Sequence, residues 1–278
     1  MYRVFIQTNS KQLFGAYLAR YALMRSTPEV DVQLMNVDTI PEFKKIAGMR
    51  YLRTGVPVTY DPNDLQSFTI SRFLPPQLMG YRGRALVIDP DIFALADISP
   101  LFLMDLGGKS LAACPRRDAW DSSVMLLDCE RLKHWNVATF LDQLRSQELD
   151  YDVLMTLRKE SVLSLDRIWN SLDQLDEHTK MLHTTNRLTQ PWKTGLKVDF
   201  KKKPGPPILG IIPREWIRRL YTSGPKKYQP HPDAMVTTFF FGLVRNALHD
   251  GVLDTTFIEE QIRMGHVRPD LLSVISAP

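Results

Sequence analysis

Val4-Phe5-Ile6 is a short apolar run that ends in polar Gln7-Thr8-Asn9-Ser10, where Asn9 and Ser10 are good helix-capping residues. Phe14, Tyr17, Leu18 and Tyr21 then recur at helical spacing, and Val30, Val32 and Leu34 alternate as a strand does. Strand, helix and strand in that order predict a βαβ unit opening a parallel sheet. Residues 41–66 read as loop, punctuated by Pro41, Gly48, Gly55, Pro57 and Pro62. From Phe68 to Leu78 the chain is apolar with helical character, interrupted at Pro75-Pro76. After Tyr81-Arg82-Gly83-Arg84 comes Ala85-Leu86-Val87-Ile88, the unbroken apolar run of a central parallel strand buried on both faces.

Two further strands are expected at Ser110 to Cys114 and Val124 to Leu127, followed by a helical stripe of Val137, Phe140, Leu141 and Leu144. Beyond residue 193 the composition shifts, and Lys201-Lys202-Lys203-Pro204-Gly205-Pro206-Pro207 reads as a stiff basic connector. Val236, Phe239, Phe240, Leu243, Val244 and Leu248 mark a C-terminal helix, with another at 256–264. The pattern describes an α/β protein in two parts: residues 1–200 as the main domain, and 208–278 as a helical extension packed on it.

A length of 278 residues fits one large domain or one with an appendage, and 44% hydrophobic residues suffice for a proper core. A net charge of +4 lacks the concentrated basic surface that nucleic acid demands, and the basic connector is flanked by prolines and glycine rather than stacking rings. Lys201 to Lys203, Arg214, Arg218, Arg219, Lys226 and Lys227, with Trp216 and Tyr221 nearby, are candidates for peripheral contact with an anionic membrane face. Cys114 and Cys129 fit no zinc spacing and read as buried thiols of a reducing compartment. The apolar run at the N-terminus is too short for a signal peptide, and no segment has the length of a membrane span. The expectation is a cytoplasmic protein.

Candidate chemistry centres on Asp89-Pro90-Asp91, directly after the buried strand. In extended backbone residues i and i+2 face one side, so both carboxylates can reach one point, and Pro90 biases Asp89 towards that geometry. Ligands of open α/β sheets gather at the carboxyl ends of strands, and two hard oxygens there suit Mg²⁺ or Mn²⁺. On its own the triplet reads more readily as a polar turn, and Asp150-Tyr151-Asp152 repeats it elsewhere.

Its surroundings carry more. Leu86-Val87-Ile88-Asp89-Pro90-Asp91-Ile92-Phe93, running on into Asp97-Ile98-Ser99-Pro100-Leu101-Phe102, resembles the metal-binding D-x-D stretch of glycosyltransferase family 8. Phe68-Thr69-Ile70-Ser71-Arg72-Phe73-Leu74-Pro75 is similar to that family's arginine-bearing segment upstream. Trp120 to Cys129 is similar to its N-S-G-V-M-L-hydrophobic-D block lining the donor sugar, and His183 to Lys193 is similar to its His…(K)-P-W block. The four matches fall in the family's order over about residues 2–195.

The resemblance implies a GT-A fold, with a mixed, mostly parallel sheet flanked by helices. It also implies transfer of a sugar from a nucleoside diphosphate donor, a UDP-sugar, to a sugar, lipid-linked or protein acceptor with retention of configuration. Asp89, Asp91 and His183 would hold Mn²⁺ or Mg²⁺, with Asp89 also near the ribose. Gln7, Thr8 and Asn9 would meet base and ribose, Arg72 the diphosphate or sugar, and Lys193 the leaving diphosphate. Ser122-Ser123 stands where the family has Asn-Ser-Gly, with Asp121 or Ser122 as substitutes for the lost amide. Asp150 matches the family's carboxylate near the anomeric carbon, with Tyr151 where an amide is expected. These departures keep a second reading open, a catalytically inactive nucleotide-sugar sensor or scaffold. A sugar nucleotidyltransferase would need a Gly-Gly-x-Gly-x-Arg loop after the first strand, and Gln7 to Gln12 contains no glycine. The phosphate-cradling loops of dinucleotide and P-loop enzymes are likewise missing.

Overall fold

A computed structural model describes residues 1–200 and 227–276. Strand β1 (Tyr2–Thr8), helix α1 (Leu13–Ser26) and strand β2 (Val30–Asn36) form the expected parallel βαβ unit. A hairpin of β3 (Arg50–Arg53) and β4 (Val56–Thr59) follows, then β5 (Arg84–Ile88), β6 (Ile92–Ala94), β7 (Leu111–Arg116) and β8 (Ala119–Asp128). Next come α2 (Val137–Arg145), α3 (Tyr151–Met155) and the short strands β9 (Val162–Ser164), β10 (Ser171–Leu172) and β11 (Met181–His183). Helices α4 (Ala234–His249), α5 (Thr255–Arg263) and α6 (Leu271–Ser276) complete the described chain.

The main sheet runs β2-β1-β5-β8-β7-β9. Pairing is parallel for β1 with β2 and β5 and for β7 with β9, and antiparallel where β8 meets β5 and β7. This is the mixed, mostly parallel α/β architecture expected from the sequence. Alternation along the central strands divides the core into two layers. Val4, Ile6, Leu86 and Ile88 face α1 and the C-terminal helices, whereas Phe5, Ala85 and Val87 face α2 and α3. Both faces are covered, which is why these strands read as unbroken apolar runs.

Helix α1 is buried on more than the stripe read from its spacing: Gly15, Ala16, Ala19, Ala22 and Leu23 are inside as well. It is sandwiched, with the sheet on one side and α4 on the other, and Phe14, Phe240 and Phe257 join across that contact. The apolar stripe of residues 236–248 therefore packs into the same core as residues 1–200. The basic residues of the connector and of 214–226 lie outside the described residues. No described helix is long and apolar enough to cross a membrane. Cys114 and Cys129 are free and buried, and burial pushes both thiols up to about 12.

The β3–β4 hairpin occupies a stretch read as loop. Its two-residue turn, Thr54-Gly55, has positive φ at both positions, a geometry that favours Asn or Gly, and Thr at the first hides it from the sequence.

Gly15 fixes how closely α1 approaches the end of β5. A Cβ there would lie 2.8 Å from the carbonyl oxygen of Pro90 and 3.4 Å from the Trp192 ring. Alanine favours a helix by about 0.5–1 kcal/mol, but overpacking against backbone costs about 1–3 kcal/mol, so the clash decides the sign. Gly15→Ala is expected to lower the melting temperature by roughly 2–4 °C. Calorimetry checks this, and a raised melting temperature would show that the Pro90 turn yields without cost.

Candidate functional site

Strand β5 ends at Ile88, and Asp89 still pairs through its N–H with the Ser123 carbonyl of the β8 side (3.1 Å). The chain then turns at Pro90-Asp91 and leaves the main sheet as β6, the edge of a second, three-stranded sheet ordered β10-β11-β6. The turn, rather than the i, i+2 alternation of an extended strand, brings the two carboxylates together. Strand β11 runs antiparallel to β6 with His183 opposite Ile92, and the Thr184 N–H closes the ladder on the Asp91 carbonyl at 3.0 Å. This register sets an imidazole beside a carboxylate pair about ninety residues earlier in the chain. One ligand atom from each of Asp89, Asp91 and His183 lies within 4.8 Å of the other two, a group that could hold one cation.

Hydrogen bonds aim each member. His183 Nδ1 lies 2.9 Å from Asn170 Oδ1, and the Asn170 amide nitrogen donates to Ser123 Oγ at 3.0 Å. With that amide so oriented, Nδ1 carries the donated proton, and Nε2 points to Asp91 Oδ1 at 3.5 Å. Asp89 Oδ1 accepts from the Gln7 amide and, at 3.0 Å, from Arg72 Nη2, while Arg72 Nη1 donates to Ser122 Oγ. Gln190 Nε2 donates to Asp91 Oδ2 at 3.0 Å. Asp121 accepts from the Ser123 hydroxyl and faces Arg167 at 3.4 Å.

Burial pushes the Asp89 carboxyl up to about 6, against the pull of Arg72 and His183. For His183, burial alone would lower the imidazole, but the charges of Asp91, Asp89 and Asp121 overcome it and raise it to about 9. Burial also opposes ionisation of Asp121, yet the Ser123 hydrogen bonds and the charges of His183 and Arg167 hold it below the ordinary carboxylate range. The concentrated negative field that would attract a metal is already drawing a proton onto His183.

These groups line a cleft of about 440 Å³ with polar walls. Asp89, Asp91, His183, Arg72, Asp121, Ser122 and Ser123, all singled out in the sequence, meet there. Gln7 meets the site from behind, donating to Asp89 and accepting from Arg72 Nε at 3.5 Å. Thr8 and Asn9 turn inward: Thr8 bonds the Asn9 carbonyl, while Asn9 caps the turn at Gln12 and ties down Asp64, Leu65 and Ser67.

Two further candidates also lie away from the cleft. The Asp150 carboxylate is absent from the cleft wall; it caps α3 and accepts the N–H groups of Asp152, Thr54 and Gly55, so it fastens the β3–β4 hairpin to that helix. Its neighbours Tyr151 and Asp152 line the cleft instead. Lys193 is fully buried away from it, 3.5 Å from Asp199 and over the Tyr228 ring, and burial lowers its ammonium to about 8. The position preceding Pro191-Trp192, basic in the family pattern, is Gln190 here. Asn170, Gln190, Arg53, Arg167 and Arg187 went unnoticed in the sequence. Single polar residues in short turns and in a four-residue strand carry no periodicity, and only the match about Pro191-Trp192 points to Gln190.

No protein-family model matches the chain, and comparison with curated proteins finds no match. Among solved structures, the glycosyltransferase GlyE of Streptococcus pneumoniae TIGR4 superposes with a TM-score of 0.51 at 18% identity, over 69% of this chain and 56% of that one. The bifunctional glycosyltransferase WbbM superposes with a TM-score of 0.51 at 14% identity, over 69% of this chain and 47% of that one. The chain thus spans about half the length of these proteins. What they share with it is architecture: the chain has the GT-A fold.

Proposed function

We propose that the protein is a metal-dependent glycosyltransferase that moves a sugar from a nucleoside diphosphate sugar, a UDP-sugar, to a sugar, lipid-linked or protein acceptor with retention. The observation carrying this reading is the convergence of Asp89, Asp91 and His183 at the carboxyl end of β5 in a GT-A fold. The glycosyltransferase names of the structural neighbours support the reaction class, and the resemblance in the sequence supports the donor and the stereochemistry.

The donor set fits a hard or borderline divalent cation: two carboxylates and one imidazole whose other nitrogen is tied to Asn170. Held by these three, Mn²⁺ or Mg²⁺ would supply Lewis-acid stabilisation to the departing diphosphate. The remaining work falls to the chain's own side chains. Arg72 clamps the Asp89 carboxylate and the Ser122 hydroxyl in place, so the anionic wall is preorganised. Asp121, kept ionised, offers negative charge to a sugar ring that becomes positive as its bond to phosphate breaks. Ser122 and Ser123 line the wall where the family pattern has an amide and a glycine, with their hydroxyl protons given to the Met155 carbonyl and to Asp121, so each would offer a sugar hydroxyl only an acceptor lone pair.

With no cation bound, His183 is charged up to about pH 9, and its pairing with Asp91 contributes stability. Because its value is raised from 6.5, that contribution is complete below pH 6.5 and lost as pH rises through about 9. A bound cation must displace the same proton. Mn²⁺ affinity is therefore expected to rise by up to about tenfold per pH unit between roughly 7 and 9, then level off. Titration calorimetry in buffers of different ionisation heat should detect about one proton released per Mn²⁺; affinity flat across that range would contradict His183 as a ligand.

Incubation with Mn²⁺ and a panel of UDP- and GDP-sugars is expected to show slow donor hydrolysis, reduced about 100-fold or more in Asp91→Asn. Asp150→Ala should lower stability by about 1–2 kcal/mol through the lost cap, which chemical denaturation checks. Tight nucleotide-sugar binding with no turnover over the panel would support the sensor reading instead.

A further inference from the structure

Five arginines line the cleft from separate segments; Arg116, at the end of β7, is exposed, and the other four fall into two kinds. Arg72 is matched to Asp89 and Arg167 to Asp121. Arg53 and Arg187 rest chiefly on uncharged groups, with the charges of Asp64 and Asp91 also acting on Arg187. Arg53, on β3, stacks 4.9 Å from the centre of the Tyr151 ring, and its Nη1 is shielded from solvent with no hydrogen-bond partner among the described residues. Arg187 Nη2 donates to the Gln66 side-chain oxygen at 2.5 Å, and its guanidinium lies 5.5 Å from the centre of the Phe200 ring.

The supports are themselves held. The Tyr151 hydroxyl bonds Thr69 Oγ1 at 2.5 Å, and the hairpin bearing Arg53 is fastened by Asp150 through the Thr54 and Gly55 N–H groups. Burial, opposed by Asp64 and reinforced by the charge of Arg53, pulls the Arg187 guanidinium down from its ordinary value. Two cations thus face one cleft within reach of each other's field. A shielded donor left unmade is costly, and guanidinium forks lining one cleft match the oxygens of a phosphoryl group.

We propose that Arg53 and Arg187 form an anion subsite of this cleft that takes a phosphoryl group, in the first place the diphosphate of the donor. The inference rests on the functional reading above and deepens it. Lys193, the sequence's candidate for that charge, is walled off against Asp199, and Gln190 at the cleft is uncharged. Arg187 lies four residues beyond His183 on the loop that leads to Gln190, and it feels the charge of Asp91. A diphosphate held at the carboxylate–imidazole group would have these arginines as its counter-charges. The same chemistry would suit a phosphate carried by the acceptor.

The test uses the full chain, with Arg53→Met, Arg187→Met and Arg187→Lys variants retained only if their melting temperatures match the parent. Uridine, UDP and inorganic pyrophosphate are titrated with Mn²⁺ present, and inorganic phosphate is titrated into UDP-saturated protein. Weakening of UDP by about tenfold or more in Arg187→Met and Arg53→Met, with uridine unchanged and partial recovery in Arg187→Lys, establishes the donor diphosphate as occupant. Unchanged UDP with loss of phosphate binding to the saturated protein assigns the subsite to an acceptor phosphate. If neither anion responds to either substitution, the subsite is overturned. If the parent protein binds no UDP, the functional reading fails separately, and the pyrophosphate titration still decides the subsite.

Discussion

The site depends on the antiparallel pairing of β6 with β11. Three residues on each strand, Ile92 to Ala94 and Met181 to His183, set the relation between a strand-end carboxylate pair and a histidine far along the chain. Neither strand belongs to the main sheet, and each is too short to be stable alone. Their position is held from both sides. Ile92, Phe93, Met181 and Leu182 are completely buried, while α1 presses on the Pro90 turn through the gap left by Gly15. Aromatic rings of α4 close over the same layer, with Phe240 stacked on Trp192 and edge-on to Phe93. The core thus imposes a geometry that three carboxylates in mutual repulsion would otherwise resist.

That repulsion is the source of the site's chemistry. Asp89, Asp91 and Asp121 converge on a buried imidazole, and the positive charges of Arg72, Arg167 and His183 partly offset them. Low effective dielectric makes each of these charges count for more than it would in water, so the group could hold either a proton or a cation. Asn170 joins the histidine to Ser123 and hence to Asp121, so the two sides of the cleft share one hydrogen-bond network.

Gln190, before Pro191-Trp192, bonds Asp91, and Lys193 after them is withdrawn into a buried pair with Asp199. Positive charge enters instead on the β3–β4 hairpin and on the loop after β11, two segments brought to the same wall. The Asp150 carboxylate serves that arrangement from behind, as the clasp of the hairpin.

The sequence by itself determined the elements whose physics is local. The βαβ opening, the buried β5 and the carboxylate pair at its end are legible because burial on two faces writes an unbroken apolar run and burial on one writes a period. The helix about residues 236–248 is legible for the same reason. The meeting of His183 with Asp89 and Asp91 was only implied by resemblance, since nothing in three-residue strands announces their partner. The tertiary structure alone decided that Asn170 orients the imidazole, that Gln190 reaches Asp91, and that Arg53 and Arg187 share a wall. It also decided that Asp150 and Lys193 turn elsewhere. An aspartate before a helix and a lysine after Pro-Trp read the same whether their charges meet solvent, backbone or substrate; only the surrounding chain, folded, settles which.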